Sequence, residues 1–181
     1  MNFKAPLIAC CFFILLFPML SVARMPSPGS SPADKTQRSE IILVVESIGH
    51  VKTEQPDLNK KNIENLRVVK IIKGDKVSSN LMFVTTGFTS ENNSQCCEAN
   101  ERYLVFLDYG YRELDEINGD FYVQLKERDK FVSGADNAWS TYQILDEQVV
   151  GWPFGGSNNL PVRTVIKEIK KYIKSQRKLN N

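Results

Sequence analysis

The segment Glu40–Ile48, EIILVVESI, is a β-branched apolar run of strand length, and runs of that kind recur along the chain. NLRVVKIIKGD places Leu66, Val68, Val69, Ile71 and Ile72 in a second strand that stops at Gly74-Asp75. NLMFVTTGF, from Asn80 to Phe88, and RYLVFLDYG, from Arg102 to Gly110, supply a third and a fourth. FYVQL, WSTYQIL and QVVGW read as shorter strands, separated by Asn-Gly, Ser-Gly-Ala-Asp and Asp-Glu turn signals. Between Ser39 and Trp152 no helical period is strong enough for βαβ units, so the pattern predicts an antiparallel barrel or sandwich.

The ends read differently. Residues 1–23 carry one cation, Lys4, an apolar run from Leu7 to Phe17, a break at Pro18, and small residues at Ser21 and Ala23. That is the layout of a secretory signal cleaved between Ala23 and Arg24. The run is shorter than the ~20 apolar residues of a comfortable membrane span. The predicted location is secreted or periplasmic. Arg24–Arg38, RMPSPGSSPADKTQR, holds three prolines and almost nothing to bury, so it reads as a linker. After PFGGSNNLP the period changes. Val165, Ile166, Ile169, Tyr172 and Ile173 fall on one arc of a helical wheel, and Lys167, Lys170, Lys171, Lys174, Arg177 and Lys178 on another. An amphipathic helix from about Val162 to Lys178, with Pro161 at its start, is expected to close a single domain spanning 39–178.

With 23 basic and 21 acidic side chains the chain is close to neutral, which argues against a nucleic-acid partner. Removal of residues 1–23 leaves Cys96 and Cys97 as the only cysteines, and in an exported protein they are available to pair with each other. Adjacent thiols lack the CxxC spacing of redox motifs, and no second pair exists to complete a zinc site. The pair reads first as a loop-stiffening disulfide and second as a redox-active thiol pair. His50 is the only histidine, which excludes HExxH and multi-histidine metal sites. No G-x-S-x-G elbow or phosphate loop occurs, and no metal or cofactor is expected. The acidic stretch DYGYRELDEINGD does not match the spacing of a calcium loop and reads as an exposed loop between strands. Its Tyr109 and Tyr111, with the following Phe121, are candidate contact residues. Asn92-Asn93-Ser94 fits an N-glycosylation acceptor. The lysine arc of the C-terminal helix reads as a solvated face, and membrane contact is not the expectation.

Three segments together resemble the netrin-like family, whose OB-type barrel also forms the inhibitory domain of the tissue inhibitors of metalloproteinases. They are SEIILVVESIGHV with Gly49, LRVVKIIKGD ending in Lys-Gly, and CCEANERYLVFL. Members tend to show a cysteine and then a glycine three residues before Tyr-Leu-Val-Phe. Cys96 or Cys97 matches the cysteine, and Asn100 occupies the glycine position, where a positive φ is expected that Asn tolerates. The resemblance implies an OB-like antiparallel β-barrel with a C-terminal α-helix, and binding of another exported protein, a protease or an envelope component, rather than catalysis. It does not carry over the inhibitors' zinc chelation by an N-terminal cysteine, because the predicted mature start is Arg24-Met25-Pro26. The competing functional class is a thiol oxidoreductase using Cys96 and Cys97.

Overall fold

The computed structural model describes residues 31–51, 63–85, 96–117, 120–135, 140–153 and 158–179. It is mainly β, a closed five-stranded barrel with a C-terminal helix. The ring is built from β1 (Ile41–Val51), β2 (Ile63–Lys73), β3 (Asn80–Val84), β7 (Phe131–Gly134) and β4 (Arg102–Tyr109), and it closes by pairing β4 back onto β1. All these pairings are antiparallel except β3 with β7. From the outer side of β4 the sheet continues through β8 (Thr141–Leu145), β9 (Gln148–Val150) and β10 (Asn159–Pro161) to the helix α2 (Val162–Leu179).

The register explains why β1 and β4 carry unbroken apolar runs. Ile41, Leu43 and Val45 pair with Leu107, Val105 and Tyr103, and all six side chains point into the barrel. The alternate residues Ile42, Val44, Leu104 and Phe106 face outward but stay buried, because α2, β8 and β9 cover them. A strand covered on both faces has no solvent side to encode, so alternation disappears from its sequence.

Barrel closure needs bent strands, and the β1–β2 ladder supplies three register shifts. Opposite Val44 and Val45 the β2 partners jump from Lys70 to Val68, which leaves Val69 unpaired. Between Ser47 and Gly49, Ile48 is extra. These bulge residues are turned out of the ladder, and both are about half exposed (48% and 50%) despite being apolar. Gly74 ends β2 with φ +114°, and a Cβ there would lie 2.5 Å from the Cγ2 of Ile41, so only glycine fits under the start of β1.

On α2, Val162, Val165, Ile166 and Ile169 are buried against the outer cluster, with Ile173 half-buried at its edge. Trp152 is buried beside them, stacked on Phe106 at 5.7 Å and edge-on to Tyr142 at 5.1 Å. Its Nε1 donates to Glu168 Oε2 at 3.1 Å, and Tyr172 donates to the other oxygen at 3.2 Å. The helix is thus pinned by an apolar face and by its one carboxylate. Val162 N–H donates to Glu147 O at 2.9 Å, which ties the helix start to the β8–β9 turn.

Three elements depart from the sequence-based expectation. Pro32–Arg38, expected as linker, forms a helix, α1. Ser31 caps it by accepting from Asp34 N–H at 3.2 Å, and Pro32 takes a first-turn position where its missing N–H costs nothing. Its last turn is held from elsewhere in the chain: Lys73 Nζ donates to the carbonyls of Thr36, Gln37 and Ser39 at 2.7, 3.2 and 2.5 Å. The expected acidic loop is a hairpin, β5 (Tyr111–Ile117) and β6 (Asp120–Lys126), paired as a separate two-stranded sheet. β7 is the third; its four residues lie among turn signals.

Candidate functional site at the Cys96–Cys97 end of the barrel

One end of the barrel is closed by the segment that leads into β4. Its turn, Glu98–Glu101, is stitched to β1 by two backbone bonds: Asn100 N–H to Ser47 O at 2.8 Å, and Ser47 N–H to Glu101 O at 2.9 Å. Asn100 has φ 66°, the left-handed conformation expected at that position. Gly49, also at positive φ, faces the turn, and its missing Cβ would meet Ala99 at 3.8 Å.

Tyr103 reaches from β4 to the same turn, where its hydroxyl accepts from Glu98 N–H at 2.8 Å. Burial pushes its phenol above the ordinary value of 10, and the carboxylates of Glu101, Glu98 and Glu64 push the same way, against the lowering effect of the Glu98 backbone bond. Cys96 and Cys97 are joined to each other and rest half-buried against the barrel-interior cluster. In that state the pair has no thiolate, and its chemistry is limited to attack by an incoming thiol.

His50 lies at the end of β1 with Nδ1 3.3 Å from Glu64 Oε1; the imidazole is half-exposed and the carboxylate buried. Among the described residues the other oxygen of Glu64 and the hydroxyl of Ser47 are buried without a hydrogen-bond partner. His50 is therefore placed as the neighbour of a buried carboxylate. Among the described residues no group of three or more His, Cys, Asp or Glu side chains could hold a metal ion, and no helix is long and apolar enough to cross a membrane.

The proposed contact residues lie elsewhere and are not brought together as an exposed loop. Tyr109 is at the far end of β4 from Tyr103, half-buried, with its hydroxyl 3.5 Å from Asp75 O. Its phenol is also held above the ordinary value, first by burial and then by Glu40 and Asp75. Tyr111 is buried, edge-on to Phe131 at 5.8 Å, so its ring packs inside the protein instead of facing a partner. Phe121 sits on β6 opposite Glu116, and its side chain is outside the described residues. The Ala23–Arg24 cleavage point, the Asn92 acceptor and Trp139 also lie outside them.

At the far end, sequence reasoning missed a polar node. Glu40 accepts from Tyr109 N–H at 2.7 Å and pairs with Arg128, while Glu40 N–H donates to Asp108 at 3.2 Å. Lys73 belongs to this end, its ammonium destabilised by burial and supported by Asp108 and Glu40, with the net effect below the ordinary lysine value. The only sequence signal was position: Glu40 and Lys73 flank apolar runs where each run begins or ends.

No family model matches the chain, and no curated protein sequence matches it either.

Proposed function

We propose that this chain is an exported, non-catalytic binding module of netrin-like type whose partner is another exported protein, a protease or an envelope component. The observation that carries this reading is the Glu98–Glu101 turn. Asn100 is left-handed where the netrin-like motif asks for glycine, directly before the strand Tyr103–Leu107 that closes the barrel. Gly49 and Gly74, which lie near the ends of the other two motif segments, are likewise at positive φ. Binding is favoured over catalysis by three ionisable groups that are engaged in holding the fold: Glu40 holds Tyr109 and Arg128, Lys73 holds α1, and Tyr103 holds the cysteine turn. Export rests on the signal-like residues 1–23.

The test is site-specific photo-crosslinking of the secreted protein within its own exported fraction. A discrete adduct that saturates and survives Cys96→Ser/Cys97→Ser supports a binding module. The thiol oxidoreductase reading is favoured by one observation, the partial exposure of the two cysteine residues. It predicts dithiol-driven reduction of insulin disulfides that disappears in either single cysteine variant, and that turnover would displace the binding reading.

A further inference from the structure

Two orphaned oxygens share one wall at the cysteine end of the barrel, the hydroxyl of Ser47 and Oε2 of Glu64. Ser47 pairs across the ladder with Leu66, and Glu64 lies two residues before Leu66, opposite Phe83. Leu66 and Phe83 belong to the barrel-interior cluster, so Ser47 and Glu64 are both on the interior face. Ser47 is fully buried, and the Glu64 side chain is only 10% exposed. Tyr103 lies within electrostatic reach, its phenol raised first by burial and, among the carboxylates, by Glu64 as well. Among the described residues no Lys or Arg pairs with Glu64, whose ionic neighbour is His50, at Oε1. Glu46, by contrast, meets Arg67 at 2.7 Å on the exposed side of the same two strands. A carboxylate taken out of water costs free energy unless a cation and hydrogen bonds replace its hydration.

We infer that Glu64 Oε2 and Ser47 Oγ form a binding site for one primary ammonium group, carried by a lysine of the exported partner or by a free small amine. The choice of a partner's lysine rests on the binding-module reading above. The donor set selects the ligand. Oε2 supplies an acceptor and the opposing charge, Oγ a second acceptor, and an ammonium brings three donors and no acceptor of its own. A water molecule would bring donors but no charge. A guanidinium pairs best with two carboxylate oxygens side by side, and Oε1 already faces His50. Hard metal ions take about six or more oxygens, and among the described residues no group of three metal-holding side chains exists. Both oxygens are shielded from solvent. His50, half-exposed against Oε1, is the side chain that an entering ammonium displaces.

The test uses the secreted protein and its only histidine, His50, whose Hε1 proton gives a single reporter resonance. Methylammonium chloride, titrated at fixed pH and constant ionic strength, is expected to shift that resonance along a saturating curve. Tetramethylammonium, which has the charge without N–H donors, and potassium are expected to leave it in place. Glu64→Gln and Ser47→Ala should each weaken methylammonium binding at least tenfold, and Glu46→Gln should leave it intact. Glu64→Gln should also melt at the same temperature or higher, because it removes a buried charge that serves binding and not the fold. A non-saturating shift, an equal response to tetramethylammonium or potassium, or a lower melting temperature in Glu64→Gln overturns the site. Acetylating the lysines of the exported fraction separates the two sources: loss of the crosslinked adduct places the ammonium on the partner, and an adduct retained beside intact methylammonium binding places it on a free amine. An adduct without any methylammonium response overturns this site and leaves the binding-module reading standing. A saturating response without any exported adduct supports the site and counts against that reading.

Discussion

Replacing Lys73 by Met should undock α1 while leaving the barrel folded. The ammonium donates to three carbonyls at the end of α1 and just beyond it, at 2.5–3.2 Å, and burial makes its charge costly unless those acceptors are present. Methionine keeps most of the apolar stem and removes the donors. A hydrogen bond to a charged group contributes about 1.5–3 kcal/mol, and a cation at a helix C-terminus about 0.3–1 kcal/mol. The Gln37 contact is exposed and the other two are part-buried, so water replaces a share of what is lost. A net cost of about 1.5–3 kcal/mol for opening α1 is therefore expected, which corresponds to a ~10- to 150-fold larger open population. Trypsin reads that population directly. Lys35 is buried in the docked helix, and cleavage after it requires opening. Lys73→Met should accelerate cleavage after Lys35 by about one to two powers of ten, with cleavage within the barrel unchanged. Lys73→Arg should recover part of the protection. Unchanged cleavage after Lys35 in Lys73→Met would refute the claim that this side chain anchors the arm.

Three further outcomes follow from the geometry. Asn100→Val places a β-branched residue at φ 66° and should lower urea-unfolding stability by about 1–3 kcal/mol, whereas Asn100→Gly should be neutral or slightly stabilising. Ile169→Ala removes a fully buried side chain between α2 and the sheet, and should cost about 2–5 kcal/mol in the same unfolding measurement. Tyr103 is held as a neutral phenol, its folded value lying above the ordinary 10. The stability it contributes is complete below about pH 10 and is lost as pH rises through the folded value, so ultraviolet titration at 295 nm should show a tyrosine resisting ionisation until the protein begins to unfold.

The sequence revealed the elements whose identity is set locally or by their own burial. EIILVV and RYLVFL read as apolar runs of strand length, which their coverage on both faces explains, and the arc of Val165, Ile166 and Ile169 marked α2 without help from its neighbours. Asn100 was readable because a positive φ restricts residue type. What stayed hidden depends on partners far along the chain. Nothing within Pro32–Arg38 states that Lys73, more than 30 residues on, will hold its C-terminus. The hairpin β5–β6 was obscured because Glu113, Asp115 and Glu116 interrupt the apolar positions of its first strand, whose pairing partners lie on β6. Tyr111 is an aromatic in an acidic stretch, which reads as a contact residue until its packing on Phe131 is seen. Glu64, buried beside His50 with one oxygen unpaired among the described residues, gives no sequence signal at all.

The central claim is that the chain binds an exported protein and turns nothing over. It is tested most directly by purifying the crosslinked partner and measuring its association with wild type and with Cys96→Ser/Cys97→Ser by light scattering and calorimetry. Saturable association that both proteins share, with the partner recovered chemically unchanged, is the predicted result. Association lost with the cysteines, together with a change in the partner's disulfides, would contradict the account.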